Sequence, residues 1–394
     1  MLKKGSIANK PAANATTDAA PAPVVTKKAP SVAPKASLAR PTRTAEDLKK
    51  LAKDNKRYSD HGRMMKGIPE VEVMCEPGKD LQAADVKLSL LWSCIFGGLS
   101  GFPRGKLFEL YADNHVGKTA QAMQWAGMMQ RAGLKVGGVD VEHAFDKSLA
   151  RRVKMDPDNI TMTRPVTGND AIEDLSQLIN VEQCDYIIHD SLAASTPAQR
   201  ATEDKQMIGD HARLWSNKLP ELKSSAGTSG ATVILLNQKR QKIGVMFGDP
   251  TTTTGGNAPA FYSDMRLSLS KVEVVVDENK SETAYTMRVK VVKNKLTGIK
   301  STYDVRMNPG HIINWPETAV VWAERFGLVD KENKIIAGIS FTGRSDSKTL
   351  QATIAGKEET VFQMIFAQLV EQRNAFAAGE TLVVAAQAED AYEE

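Results

Sequence analysis

Cysteine is scarce in this chain of 394 residues: Cys75, Cys94 and Cys184 are the three present, in no metal-binding spacing. An odd count leaves one thiol unpaired, which excludes a disulfide framework and points to buried thiols in a reducing compartment, the cytoplasm. Long hydrophobic runs are absent too. The longest, residues 88 to 102, is broken by Ser93, Ser100 and three glycines, too short and interrupted to cross a bilayer, so no membrane partner is expected. The formal net charge of +4 is too small to argue for nucleic acid by itself, and any such argument must rest on local patches. The first forty-odd residues are rich in Ala, Pro, Thr and Lys and nearly devoid of large apolar side chains. They cannot offset the entropy of ordering and read as a disordered tail. A solvated linker competes there with loose electrostatic attraction of a polyanion; an Arg-rich, amphipathic targeting peptide does not fit. The remainder is long enough to bury one large core plus a smaller domain.

What is present begins with Leu110-Tyr111-Ala112-Asp113-Asn114-His115-Val116-Gly117-Lys118-Thr119, a turn between an apolar strand pattern and a Met- and Ala-rich helix pattern. Glycine, four residues, glycine, lysine and a hydroxyl place backbone N–H groups, an ammonium and a helix N-terminus around the β- and γ-phosphates of a nucleotide. Ala112 stands at the first glycine's place, which costs about 1 kcal/mol or more if that site is left-handed and little otherwise. An ordinary strand–turn–helix is the alternative. Other strand ends weigh against it, because an ATPase needs a carboxylate beside Mg²⁺ and a second one to orient the attacking water. Tyr186-Ile187-Ile188-His189-Asp190-Ser191 delivers the first, and Val139-Asp140-Val141-Glu142-His143-Ala144-Phe145-Asp146 closes another strand. A third apolar run, residues 231 to 236, ends in Asn237-Gln238. Open parallel sheets gather ligands at such strand ends.

Strand and helix patterns alternate from 106 to 238, which argues for a doubly wound sheet with right-handed crossovers. After Ala258 strands dominate, over 265–276 and 284–293, joined by the polar turn Asp277-Glu278-Asn279-Lys280. From Pro316 a smaller α/β segment follows, with a helix pattern over 361–373 and an acidic terminus. The second loop then carries a distinctive text: Asn237-Gln238-Lys239-Arg240-Gln241-Lys242-Ile243-Gly244-Val245-Met246-Phe247-Gly248, then Asp249-Pro250, four threonines, Gly255-Gly256-Asn257-Ala258 and Phe261-Tyr262. With these residues the chain resembles the RecA family of recombinases. Val141-Glu142-His143-Ala144, Asp190-Ser191-Leu192-Ala193-Ala194, Thr196-Pro197 and Arg288-Val289-Lys290-Val291-Val292-Lys293-Asn294-Lys295 add to it. The resemblance runs from about residue 80 to about 330.

That resemblance implies an α/β fold: a RecA-type P-loop ATPase core with a doubly wound, mostly parallel sheet, an antiparallel extension and a smaller C-terminal α/β domain. The expected divisions are a tail over 1–43, an N-terminal polymerisation segment over 44–80, the core over 81–314, the small domain over 315–376 and an acidic tail over 377–394. A helix over 45–60 would pack on the neighbouring protomer, or else on its own core. ATP and Mg²⁺ are the implied cofactors. The cradle would run from Ala112 through Asp113, Asn114, His115, Val116, Gly117, Lys118 and Thr119 to Ala120. Lys118 would offset phosphate charge, Thr119 and Asp190 would hold the metal, and Glu142 would orient or activate water. Gln238 would hydrogen-bond the γ-phosphate and couple nucleotide state to the adjoining loop. Lys293 and Lys295 match two lysines that reach the nucleotide of the adjacent protomer; composition alone reads them as exposed strand-end lysines.

Contact with DNA would come from two loops. In the second, Lys239, Arg240 and Lys242 would meet phosphates, Ile243, Val245, Met246 and Phe247 would act as apolar wedges, and Gly244, Gly255, Gly256 and Asn257 would give compliance. In the first, about 199 to 213, Arg200, Lys205 and Arg213 are candidate phosphate partners, while Trp215 reads as core. Three departures stand out. Ala112 replaces a glycine and Asn114-His115-Val116 replaces small residues, so the loop is stiffer and His115 can approach the phosphates. Leu149 stands where bacterial members present a tyrosine to adenine, leaving Asp146 as the base contact. Thr202 and Glu203 replace glycine in the first loop. The implied activity is a DNA-dependent ATPase that forms filaments of itself on single-stranded DNA and pairs it with homologous double-stranded DNA, with single-strand-binding and loader proteins as further partners. A RecA-fold helicase or motor, and a non-catalytic ATP-binding filament protein, are the rival readings.

Overall fold

The computed structural model describes residues 70–79, 81–195, 209–241 and 251–379. The expected tail over 1–43, the helix over 45–60, Arg200, Lys205, Lys242, Ile243, Gly244, Val245, Met246, Phe247 and nearly all of the acidic terminus lie outside the described residues.

The chain passes through β1 (Val73–Met74), α1 (Ala83–Ile95), β2 (Phe102–Pro103), β3 (Leu107–Ala112), α2 (Lys118–Arg131), β4 (Val136–Asp140), α3 (Lys147–Arg152), β5 (Thr161–Thr163), α4 (Gly168–Asn180) and β6 (Tyr186–Asp190). Then come α5 (Asp210–Ser229), β7 (Thr232–Gln241), β8 (Thr251–Thr253), α6 (Ala258–Tyr262), β9 (Met265–Val276), β10 (Glu282–Asn294), β11 (Thr302–Asn308) and β12 (Ile312–Ile313). The last elements are α7 (Trp315–Arg325), β13 (Val329–Asp330), β14 (Ile335–Ile336), β15 (Ile339–Ser340), α8 (Ser347–Ile354) and α9 (Glu358–Ala377).

One large sheet carries the order β12-β11-β10-β9-β3-β7-β6-β4-β5, with β8 paired to β7. The ladders from β9 through β3, β7, β6 and β4 to β5 are parallel, and those joining β9, β10, β11 and β12 are antiparallel. This is the doubly wound sheet with an antiparallel extension that the patterning predicts; β9 is the seam between the two kinds of pairing, and next to it on the parallel side lies β3. Its six residues are all buried because sheet neighbours and helices enclose it completely.

Alternation along the strands divides the apolar residues between two cores. Phe108, Leu110, Ile188, Ile234 and Leu236 face the cluster built with α1 and α2. Leu107, Ile187, Val233 and Leu235 face the cluster built with α4 and α5. In the first cluster aromatic rings meet edge to face, Trp92 with Trp125 at 4.6 Å and Phe96 with Phe102 at 5.1 Å between centroids, the geometry that ring quadrupoles favour. Residues of α9, including Phe362 and Leu369, belong to this same cluster. Lys87 of α1 pairs with Glu358 at 3.1 Å, and Arg373 donates to the Gly98 carbonyl at 2.6 Å. The C-terminal segment therefore shares a core with the sheet. A capping box starts α4, with Thr167 accepting from the Asp170 N–H and the Asp170 carboxylate accepting from the Thr167 N–H.

Cys75, Cys94 and Cys184 are buried and none is in a disulfide. Burial pushes the Cys94 thiol up and raises Cys184 to about 12, so neither forms the reactive thiolate near neutral pH. The stabilisation from this protonation is present below the unfolded thiol's pKa and is lost as pH climbs through the folded value. In native protein at pH 8, reaction of these two thiols with a disulfide reagent should therefore follow global unfolding, accelerating in step with added urea. Rapid labelling of Cys184 in native buffer would contradict its placement.

Candidate nucleotide-binding site

β3 ends at Ala112 and α2 begins at Lys118, so the five residues between them form the turn over the sheet's carboxyl edge. Ala112 is a buried strand residue with ordinary backbone, so it carries none of the left-handed cost considered for it. The left-handed positions are His115 (φ 60°) and Gly117 (φ 104°), the latter capping α2. A Cβ at Gly117 would lie 2.8 Å from Nδ1 of His311, so glycine is required there by conformation and by space. The Lys118 ammonium folds back over the turn, donating to the carbonyls of Ala112 (3.3 Å) and Asp113 (2.9 Å). Its pKa is lowered by burial, against the pull of Asp190, Glu142 and Asp113.

Thr119, on the first turn of α2, donates its hydroxyl to Oδ2 of Asp190 at 2.7 Å. The Asp190 carboxyl is pushed up to about 6, by burial first, then by Glu142 and Asp140, against the Thr119 hydrogen bond and Lys118. A buried carboxylate with surplus negative neighbours and an adjoining hydroxyl is a hard-oxygen donor pair, which fits Mg²⁺. β4 and β6 are in register with Asp140 opposite Asp190. The chain leaving β4 stays tied to this edge, since the Val141 and Glu142 N–H groups donate to the Asp190 carbonyl at 2.8 and 3.3 Å. Ser191 donates its hydroxyl to Oε1 of Glu142. Asp140, buried, accepts from the N–H groups of Ala144 (2.9 Å) and Phe145 (3.4 Å) and from Nε of Arg164 (3.1 Å). The loop bearing Glu142 is thus wound around the Asp140 carboxylate.

Lys118, Thr119, Glu142 and Asp190 line one cavity of about 380 Å³. Of the residues expected at the nucleotide, Asn114, His115, Gly117, Lys118, Thr119, Ala120, Glu142, Asp190 and Gln238 line it, joined by Leu149 and His311. Others do not. Ala112 and Val116 are buried, Asp113 is exposed, and Asp146 caps α3 by accepting from the N–H groups of Ser148 (2.8 Å) and Leu149 (3.3 Å). Lys293 donates to the carbonyls of Ala260 (2.6 Å) and Phe261 (2.8 Å), and Lys295 sits 5.7 Å from the Phe261 ring centroid.

Beneath the cavity lies a polar network that the sequence reading missed. Glu109, fully buried on β3, accepts from Arg266 of β9 at 2.5 Å and from the Asn237 side-chain amide at 2.8 Å. The same amide donates to the Thr254 carbonyl at 2.8 Å, and the Asn237 side-chain oxygen accepts from the Gln238 N–H at 2.9 Å. Gln238, directly opposite Ala112, is held by this network at the cavity edge. A glutamate inside an otherwise apolar strand, three residues before the cradle, was the available signal.

Of the expected DNA contacts, Lys239 and Arg240 lie on β7, Lys239 with its ammonium 3.9 Å from Asp113 and Arg240 exposed. Arg213 is exposed on α5, 3.7 Å from Asp210. Gly255 and Gly256 turn with φ of 94° and 69° ahead of Asn257, and the Gly256 backbone packs against Ala212 of α5. Trp215 is fully buried, edge to face with His189 at 5.2 Å, the core role expected for it.

A strand–turn–helix cradle whose lysine and threonine face a buried strand-end carboxylate, on a mostly parallel sheet, defines a P-loop nucleotide-binding core. A family model described as the RecA N-terminal domain matches residues 83–311, more than half of the chain. The chain belongs to the RecA family. It is 40% identical over 204 residues to the protein RecA of Mycobacteroides abscessus and 41% identical over 203 residues to that of Acidiphilium cryptum. These matches cover 51% and 50% of this chain and 58% of each relative. Against the protein RecA of Porphyromonas gingivalis the identity is 37% over 219 residues, 54% of this chain and 64% of the relative. The chain thus matches about three fifths of the length of these curated relatives.

Proposed function

We propose that the protein is an ATP-dependent homologous recombinase, which assembles on single-stranded DNA and exchanges it with a homologous duplex. The observation that carries this reading is the convergence on one cavity of Lys118, the Thr119–Asp190 pair and Glu142 with Gln238, which opens the Lys239-Arg240 stretch. Lys118 offsets the charge of the phosphates, with the N-terminus of α2 behind it. Thr119 and Asp190 would hold Mg²⁺, which when bound would neutralise charge developing on the phosphoryl oxygens. Glu142, held by Ser191, accepts a hydrogen bond from the attacking water and orients it. Gln238 carries the state of the phosphates into the strand ahead of the basic loop. Phosphate release stimulated by single-stranded DNA, together with strand exchange between homologous substrates, tests the reading. Stimulated hydrolysis with unwinding and no exchange would make the chain a motor; filaments without hydrolysis would make it a DNA-coating protein.

In this reading Lys293 and Lys295 act on the nucleotide of a neighbouring protomer. Burial first, then Lys295, Lys223 and Arg266, bring the Lys293 ammonium down to about 8, and Phe261 beside it is exposed. Such a cation gains from an anionic partner supplied by assembly. Changing both lysines to alanine should leave ATP binding by the isolated protein within about twofold and lower DNA-stimulated hydrolysis by about 10³-fold, the scale of a cation supplied in trans. Mixed with Glu142→Gln protomers, the double variant should regain part of its activity, because one boundary in the mixture joins an intact Glu142 to intact lysines. Verified mixed filaments without recovery would place the lysines' role inside their own subunit.

A further inference from the structure

The turn between β11 and β12 brings His311 to the phosphate cradle from the antiparallel half of the sheet. The imidazole lies over Gly117, with Nδ1 2.8 Å, Cε1 3.1 Å and Cγ 3.4 Å from the position a Cβ would take there. It lines the same cavity as Lys118 and Thr119. Nδ1 is also 2.7 Å from the hydroxyl of Tyr285, a buried residue of β10 whose ring lies 4.4 Å from the Lys271 ammonium. Burial first, then the charge of Glu282, keeps that phenol protonated.

Either partner can donate in the Tyr285–His311 hydrogen bond, and the tautomer of the ring decides which. Burial, Lys271 and Arg152 lower the imidazole's pKa, with Glu282 opposing them, so the ring in the ligand-free cradle is neutral near pH 7. No second acceptor for the Tyr285 hydroxyl is found among the described residues, and with the phenol donating to Nδ1 the neutral ring carries its own proton on Nε2. No partner for Nε2 is found among the described residues. A ring fixed over the cradle glycine therefore keeps an N–H donor for a ligand in the cavity. His311 itself has a left-handed backbone, φ 65°, which is uncommon outside glycine and asparagine and fixes the ring's approach.

We propose that His311, oriented by Tyr285, donates a hydrogen bond from Nε2 to the phosphates of a nucleotide seated at the cradle, making it a nucleotide-contact residue and Tyr285 its positioning residue. This rests on the nucleotide-site reading above. A phosphate contact, unlike a base contact, must act equally on ATP and on inorganic tripolyphosphate.

The test uses the full chain and both probes, each titrated by calorimetry. His311→Asn keeps a residue tolerant of the left-handed backbone while withdrawing the ring. It should weaken ATP and tripolyphosphate alike, each by about tenfold, the scale of a hydrogen bond to a charged group. Nitrogen-15 NMR of the histidines should show the wild-type ring protonated at Nε2, and Tyr285→Phe should shift it toward the other tautomer and cost about threefold in affinity for both probes. Unchanged binding by His311→Asn, a loss for ATP alone, or a wild-type ring protonated at Nδ1 would each overturn the assignment. If wild-type protein bound neither probe, the cradle reading would itself fail, a result distinct from these.

Discussion

Replacing Lys118 with alanine is expected to weaken ATP binding by about 100-fold or more, the equivalent of roughly 3 kcal/mol for a charge-assisted contact in a partly buried site. The reason lies in what surrounds the ammonium. Asp190, Glu142 and Asp113 all pull on its proton, so its removal leaves carboxylates facing the space that a triphosphate would enter. The variant therefore loses an attraction and uncovers a repulsion. The fold should be little affected, because the closer of the two carbonyls that Lys118 covers, that of Asp113, belongs to an exposed turn residue. A melting temperature within a few degrees of wild type, combined with loss of fluorescent-nucleotide binding, is the expected pair of results. Full DNA-stimulated hydrolysis in this variant would remove the cradle from consideration.

Glu142→Gln should give the opposite pattern: nucleotide binding within about threefold of wild type and hydrolysis slowed by about 10²- to 10⁴-fold, the range for a lost general base. Glutamine keeps an oxygen for the Ser191 hydroxyl, and the Val141 and Glu142 N–H bonds to the Asp190 carbonyl do not involve the side chain. What changes is the charge available to the water. The protein should then hold single-stranded DNA in its high-affinity form for far longer, which filter binding in the presence of ATP would detect. Weak ATP binding with normal turnover would assign Glu142 to the cradle rather than to the water.

The fold was readable because its signals are local. The short runs that form the fully buried strands β3, β4 and β6, the polar turn over 277–280 and the glycine-lysine-threonine turn each declare themselves within a few residues. The candidate site was readable where one residue does one task, as with Lys118, Thr119 and Asp190. It was not readable where a task is shared across the sheet. Nothing near His311 in sequence indicates that it lies over Gly117, 194 positions away; only the pairing of β11 with β10 and of β9 with β3 brings them together. Ala112 was misleading for a related reason, since its cost depends on a backbone angle that composition does not reveal. Asp146, a possible base contact by resemblance, also caps a helix, a use that a short polar side chain near a helix start invites.

The buried network of Glu109, Asn237 and Arg266 constrains how such a chain can drift. Losing Arg266 alone would leave the buried Glu109 carboxylate without its counter-charge, a cost of about 3–5 kcal/mol. Losing Glu109 alone would strand a guanidinium. Either single step would remove a large share of the roughly 5–15 kcal/mol by which a domain is stable, whereas a concerted exchange for apolar residues of similar volume would not. Glu109 and Arg266 are therefore more readily exchanged together than singly. Leu149, on the half-buried wall of the cavity, is under no such restriction, and the nucleotide site can be retuned there one residue at a time while the strands beneath it stay locked.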